Sequence, residues 1–406
     1  MAITYHEHVL DNGLRVVAET DPDAHSAAAG FFVRTGARDE ASSLMGVSHF
    51  LEHMMFKGTE DLSAEDINRA FDEMGARNNA YTSHELTCFY AQVLPEQFDR
   101  ALDTLGRMMR PALRQEDFDT EKQVILEEIA MYKDNPFWVL YEACLEAHYA
   151  GTGMAHRVLG TNETITSMRR DEMRRYFEDR YSADNTIVSI AGRVDFERAV
   201  GEVERLCGGW RASSPAGRGP IGAPEGREVS LTDERINRAY MIGIARAPSA
   251  TDERRYAAAM LAQVLGSHDN SRLHWALIEP GLAEEAQAAY DPHDGVGDYF
   301  VYASGDPDRA DEIWSIVERE TEALAGSVTG DDLDRLRTKL ATGVTLAGEK
   351  PHDRMQRLGR LWSTVGEYVT LEEELERINA VTLDDVRGVA EAYPLRAQTV
   401  GRLTPA

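Results

Sequence analysis

Residues Val47–Phe56 read V-S-H-F-L-E-H-M-M-F, an apolar segment that carries two imidazoles and a carboxylate. At helical spacing Val47, Phe50, Leu51 and Met54 fall at i, i+3, i+4 and i+7, an apolar stripe that needs a core. His49, Glu52, His53 and Phe56 fall on the other side at the same spacing. Such a helix is buried on both sides, and buried ionisable groups are costly unless paired or bound to metal. His49 and His53 are i and i+4, so both rings can reach one ion. Glu52 lies beside them, where it can take a proton from water at that ion. This H-x-x-E-H order is H-E-x-x-H in mirror sequence. The competing reading is two core histidines satisfied by backbone carbonyls.

A second pattern offers a third ligand. In a helix expected from about Glu116 to Lys133, Phe118, Glu121, Val124, Ile125, Glu128 and Tyr132 share one face. Glu127 lies about 100° round the helix, toward Thr120 and Gln123 on the solvated side. Carboxylates in an apolar stripe need a cation or hydrogen-bond donors. Glu128 is therefore the candidate third ligand and Glu121 a supporting group; surface salt bridging is the alternative.

Around these two helices the chain alternates strand and helix signals. Tyr5–Leu10 and Leu14–Ala18, joined by Asp11-Asn12-Gly13, read as a β-hairpin. Ala27–Val33 is expected as a strand covered on both faces. A polar loop, Ala37–Ser43, delivers Gly46 and the first helix. Ser63 and Asp66 form a capping box for a helix ending at Gly75. Asn78–Ser83 and Thr87–Val93 read as antiparallel strands, and Pro95 opens a helix to about Met109. Helices are expected over Phe137–Tyr149 and Arg170–Tyr181, then a strand over Thr186–Ala191 and a helix ending at Cys207. Residues 211–227, rich in Pro, Gly, Ser and Ala, read as a linker.

After it the order restarts: strands at Glu228–Thr232 and Ala239–Ala245, a helix at Glu253–Leu265, a strand at Tyr299–Ala303, helices at Asp308–Leu324 and Asp331–Ala347. Glu116-Asp117-Phe118 aligns with Asp331-Asp332-Leu333, and at that offset of 215 Glu128 falls on Gly343. The second half reads as a repeat without the metal groups. The expected domains are thus 1–210 with the metal site, a linker at 211–227, and a similar domain at 228–406.

A chain of 406 residues suits two such domains. No run approaches the roughly 18 apolar residues of a membrane span. The N-terminus enters strand-like sequence without a secretory pattern, and three cysteines give no disulfide framework, so a cytoplasmic location is expected. A net charge of −27 argues against nucleic acid as partner; it would attract basic peptides, and solubility is an equally good reading of it.

Gly46–Thr59 (G-V-S-H-F-L-E-H-M-M-F-K-G-T), Glu121–Ile129 (E-K-Q-V-I-L-E-E-I) and Asn78–Ser83 (N-N-A-Y-T-S) together resemble the pitrilysin/insulinase superfamily of zinc peptidases. The likeness is to the small two-domain bacterial branch related to the mitochondrial processing peptidase. It implies an α+β fold of two similar domains, each an antiparallel sheet packed with helices. It implies zinc bound by His49, His53 and Glu128, with Glu52 as general base and Glu121 in support. Asn79 and Ala80 would lie on the strand that holds an extended peptide. Two histidines and one carboxylate leave a fourth position open, as a catalytic zinc site requires.

One departure bears on the partner. Family members with complete sites carry an arginine and a tyrosine in a stretch resembling R-E-x-R-G-L-A-Y. Here Leu277–Glu284 reads L-I-E-P-G-L-A-E, without either. Losing such a donor costs about 10²–10³ in rate. A zinc-less homologous subunit supplying both groups is therefore expected, with a homodimer as the other arrangement and Tyr290 as a possible substitute. The rival function is a non-catalytic core subunit of the same superfamily. His268, His274 and His293 have no spacing that makes a site. His84, near Asn79, could line the cleft but reads better as a strand-surface histidine. His6 and His8, at i and i+2 on the hairpin, could bind adventitious metal but read better as solvated, while Cys88 and Cys144 read as core.

Overall fold

The computed structural model describes residues 3–222, 224 and 226–406. Met1 and Ala2, at the expected N-terminal strand, and Ala223 and Glu225, in the expected linker, lie outside the described residues.

In the first half the strands are β1 (Thr4–Val9), β2 (Arg15–Thr20), β3 (Ala27–Val33), β4 (Arg77–Thr82), β5 (Thr87–Val93) and β6 (Thr186–Gly192). The helices are α1 (Val47–Met55), α2 (Ala64–Glu73), α3 (Phe98–Met108) and α4 (Gln115–Lys133). Then come α5 (Pro136–His148), α6 (Asn162–Ser167), α7 (Arg170–Arg180) and α8 (Phe196–Cys207). The second half has β7 (Arg227–Thr232), β8 (Ala239–Ala247), β9 (Ala283–Pro292), β10 (Gly297–Gly305) and β11 (Thr399–Thr404). Its helices are α9 (Arg255–Gly266), α10 (Ala310–Ser327), α11 (Gly330–Ala347), α12 (Pro351–Thr364), α13 (Leu371–Ala380) and α14 (Leu383–Ala392).

The chain is α+β and forms two compact units. One comprises Met1–Ile129, His156–Arg218 and Thr345–Val369; the other Ala130–Ala155, Gly219–Val344 and Thr370–Ala406. The first holds a six-stranded sheet in the order β1-β2-β6-β3-β5-β4, the second a five-stranded sheet in the order β7-β11-β8-β10-β9. Without β1, the two orders match strand for strand. The pairing sense matches too. β2–β6 and β7–β11 are parallel, and every other pair is antiparallel. Each sheet is therefore mixed where an antiparallel one was expected. In both, the last strand returns after a long helical excursion, and such a crossover permits a parallel neighbour.

β3 shows why the strand run is continuously apolar. Phe31 packs into the cluster that contains α1, while Phe32 packs on the other face against Met355 and Leu358 of α12. Thus α12, from the second half of the chain, belongs to the first unit. Reciprocally, α5 buries Leu140 and Cys144 against Ile242, Ile244 and Leu403 in the second unit. The two helices start at matching places, Pro136 and Pro351. The linear boundaries at 210 and 228 follow the chain, whereas the units exchange one helix each. Close packing fixes both: a Cβ on Gly359 would collide with the Phe32 ring, and one on Gly401 with Cys144 Sγ.

The first part of the expected linker is tied to the first unit. Ser213 and Ser214 donate their N–H groups to Asp184, and Arg218 grips Asp39 with two bonds of 3.0 and 2.9 Å. Among the described residues no helix is long and apolar enough to cross a membrane.

Candidate metal centre

Helix α1 begins at Gly46, at φ +92°, where any Cβ would press on the Leu159 carbonyl and Gly160. No side chain of its own caps it. Instead the buried Glu40 accepts from the N–H groups of Gly46 (2.7 Å) and Ser48 (2.8 Å), placing a carboxyl at the positive end of the helix. Burial pushes the Glu40 carboxyl up to about 8, against the pull of those two bonds. Ser48 Oγ and Thr35 Oγ1 each lie 2.7 Å from the Tyr176 hydroxyl, closing a buried network. Val47, Phe50, Leu51 and Met54 are fully inside, as the stripe requires. Phe50 stacks on Phe118 at 4.7 Å between centroids, which docks α4 against α1.

That docking brings three donors together. His49 Nε2 lies 3.7 Å and His53 Nε2 3.6 Å from Glu128 Oε2. Hydrogen bonds between these atoms would be about 2.7–3.2 Å long, so the groups are not bonded to one another. A tetrahedral ion with bonds of about 2.0–2.2 Å has edges of roughly 3.3–3.6 Å, close to the spacing seen. Among the described residues this is the one group of three His, Cys, Asp or Glu side chains arranged to hold a metal. The donor set fits zinc.

The surroundings fix the rings and their protons. His53 Nδ1 lies 2.9 Å from Glu121 Oε1, so Nδ1 carries the proton and Nε2 presents a lone pair. Lys57 Nζ is 2.5 Å from the other Glu121 oxygen. Burial would raise the Glu121 carboxyl, but His53 and Lys57 outweigh it and hold it below the ordinary value. Burial would lower His53; the bond to Glu121 and the Glu128, Glu121 and Glu52 charges raise it overall. His49 is depressed to about 3, by burial first and by the neighbouring His53 second. Its Nδ1 is buried with no hydrogen-bond partner among the described residues. Burial raises both Glu128 and Glu52. Glu52 Oε2 accepts from Thr82 Oγ1 at 2.6 Å.

Thr82 ends β4, the outermost strand of its sheet. Asn79 and Ala80 lie on the same strand, and Asn79 Oδ1 accepts the Ala80 N–H at 2.9 Å. All seven residues singled out for the site are therefore on α1, α4 or β4. On α4 the buried face is Phe118, Glu121, Ile125 and Ile129, so Val124, expected inside, is 41% exposed. Sequence reasoning missed Glu40, Lys57 and Thr82. Glu40 stood in what read as a polar loop; a carboxylate shortly before a helix-opening glycine was the available signal.

Residues 15–162 match the insulinase peptidase family M16, and residues 167–340 match the peptidase M16 inactive domain. The uncharacterized zinc protease YmxG of Bacillus subtilis is 31% identical over 387 residues, covering 94% of each chain. An uncharacterized zinc protease of Streptomyces coelicolor is 33% identical over 401 residues, covering 95% of this chain and 86% of its own. The chain belongs to the M16 family. Solved structures agree on the fold. A protease from Helicobacter pylori superposes with TM-score 0.91 at 19% identity over the whole of both chains. A chain of Complex III2 from Candida albicans gives 0.86 at 17% identity, covering 98% of this chain and 95% of that one. Relatives of this M16 chain are thus named zinc proteases, and its His49–His53–Glu128 cluster matches that name.

In the second unit the stretch lacking arginine and tyrosine begins in the last residues of a short helical turn, His274–Ile278, and then opens β9 at Ala283. Glu284, in place of the tyrosine, is held by Arg238 at 2.6 Å. Tyr290 donates its hydroxyl to the Pro248 carbonyl at 2.8 Å. Cys88 and Cys144 are buried and free.

Proposed function

We propose that this M16 chain is a zinc endopeptidase of the inverted H-x-x-E-H type, hydrolysing bonds in short or unfolded peptides. The observation that carries the reading is the triangle of His49 Nε2, His53 Nε2 and Glu128 Oε2, with Glu52 one residue away on the same helix. Zinc held there supplies a Lewis acid that acidifies water and polarises a peptide carbonyl. Glu52, with its proton affinity raised by burial, takes the proton and returns it to the leaving amine. Thr82 fixes the carboxylate that does so, and Glu121 fixes the tautomer of His53. An extended peptide adds to the edge strand β4 through its main chain, at Asn79 and Ala80, which favours unfolded segments.

The sequence at Leu277–Glu284 supports a further part of the reading: a separate zinc-less homologue supplies the arginine and tyrosine, and the active species is a heterodimer. Purification alone and with a co-encoded homologue tests this. Full activity from the lone chain overturns it in favour of a single chain or homodimer.

The second reading, a scaffold subunit, draws on the likeness to the Complex III2 chain and on the match of residues 167–340 to an inactive domain. Metal analysis separates the two. About one zinc per chain, with peptide cleavage abolished in Glu52→Gln while zinc is retained, supports the enzyme; zinc-free protein that cleaves nothing with its partner supports the scaffold.

A further inference from the structure

Strand β4 has two faces with different neighbours. Ala80 packs into the cluster containing Phe50 and Phe89, and Thr82 bonds Glu52, so the even-numbered side looks toward α1. The odd-numbered side carries Arg77, Asn79 and Tyr81, and there the neighbour is α12. Tyr81 packs with Met355 and Leu358 and donates its hydroxyl to Gln356 Oε1 at 2.9 Å. Arg360 Nε donates to the same hydroxyl at 3.3 Å, and its guanidinium carbon stands 5.4 Å from the Tyr81 ring centre. One turn earlier on α12, His352 lies 4.8 Å from the ring of Tyr90 on β5, the cross-strand partner of Asn79. His352, Gln356 and Arg360 thus form an i, i+4, i+8 stripe along this edge of the sheet. Among the described residues neither Arg77 nor Arg360 is paired with a carboxylate.

We propose that this second face of β4 is a subsite for a carboxylate side chain of the bound peptide, with Arg360 as its reader. The inference rests on strand addition at β4. A strand added there runs about 4.8 Å away, and its side chains alternate between the two faces. Residues of one parity point toward α1 and Glu52; those of the other point toward Tyr81 and Arg360. A guanidinium held by an aromatic face and one hydroxyl keeps further N–H donors for a bidentate contact with Asp or Glu. The preference runs against the net charge of −27, which favours basic peptides at a distance. The peptide class that fits is an extended segment with an acidic residue at the parity facing away from the metal centre.

The test is a binding scan on the Glu52→Gln chain, so that cleavage does not enter. A short fluorescein-labelled peptide, otherwise neutral, carries Asp or Lys at each position in turn, and anisotropy gives its affinity. At positions of one parity Asp binds about tenfold tighter than Lys; in Arg360→Glu the order reverses, which a purely structural role for Arg360 would not produce. Arg360→Lys keeps the sign. Equal affinity at every position, no binding by any peptide, or an Asp preference that survives Arg360→Glu overturns the subsite. A chain that discriminates as described, yet cleaves nothing with its homologous partner once Glu52 is restored, keeps the subsite and removes the peptidase reading.

Discussion

His53 Nδ1 and Glu121 Oε1 stand 2.9 Å apart, with Lys57 on the carboxylate's other oxygen. This contact decides which imidazole nitrogen is free for a metal. Glu121→Gln offers an amide that can still accept at oxygen but carries no charge, so the imidazole is less basic and less firmly held. Zinc affinity in chelator competition is expected to fall about 10–100-fold, with the fold unchanged by circular dichroism. Unchanged affinity would show that Glu121 serves only Lys57.

A proton on His49 opposes folding of the metal-free chain. The unfolded imidazole titrates near its ordinary value, about 6.5, whereas the buried ring does so at about 3. Between these values the unfolded state binds the extra proton, so this group removes stability as pH falls. His53, raised in the fold, acts in the opposite sense over part of the range. The difference between the parent and His49→Gln isolates the first effect. From pH 6.5 to pH 5 the parent should lose about 2 kcal/mol relative to the variant in urea unfolding without zinc. Parallel curves would contradict the burial of His49.

The exchanged helix α12 can be tested at one glycine. A Cβ at residue 359 has no room beside the Phe32 ring, which is itself locked between the sheet and the helix. Gly359→Ala should cost about 1–3 kcal/mol of stability through overpacking, although alanine favours helices. A stabilised variant in thermal unfolding would place α12 elsewhere.

Much of the first unit was legible because local and global signals agreed. The two faces of α1, the Ser63–Asp66 capping box and the Asn-Gly turn each follow from short-range chemistry, and each is present. The triangle of His49, His53 and Glu128 was legible because imidazoles and carboxylates set in apolar stripes are costly to bury unless a cation or a donor holds them. What escaped depends on distant partners. Ala283–Pro292 reads A-E-E-A-Q-A-A-Y-D-P, good helix-forming sequence, yet it pairs along β10 as an edge strand. Tertiary pairing overrode propensity there. The assignment of α5 and α12 to sheets from the opposite halves of the chain has no local signature. Glu40 was hidden for the same reason: its role exists only once Gly46 and Ser48 turn their N–H groups toward it.

Thr82 offers a direct probe of the proposed base. Burial raises the proton affinity of Glu52, and the 2.6 Å bond from Thr82 Oγ1 pulls it back down. Thr82→Val keeps the volume and the strand preference while removing that donor. The carboxylate then binds its proton more tightly, and a base that works deprotonated fails at a higher pH. The acid limb of kcat/KM should therefore move upward, by up to about one pH unit, with zinc content unchanged. The alkaline limb should stay where it was. An acid limb that does not move would mean that Glu52 is not the group whose ionisation limits the rate.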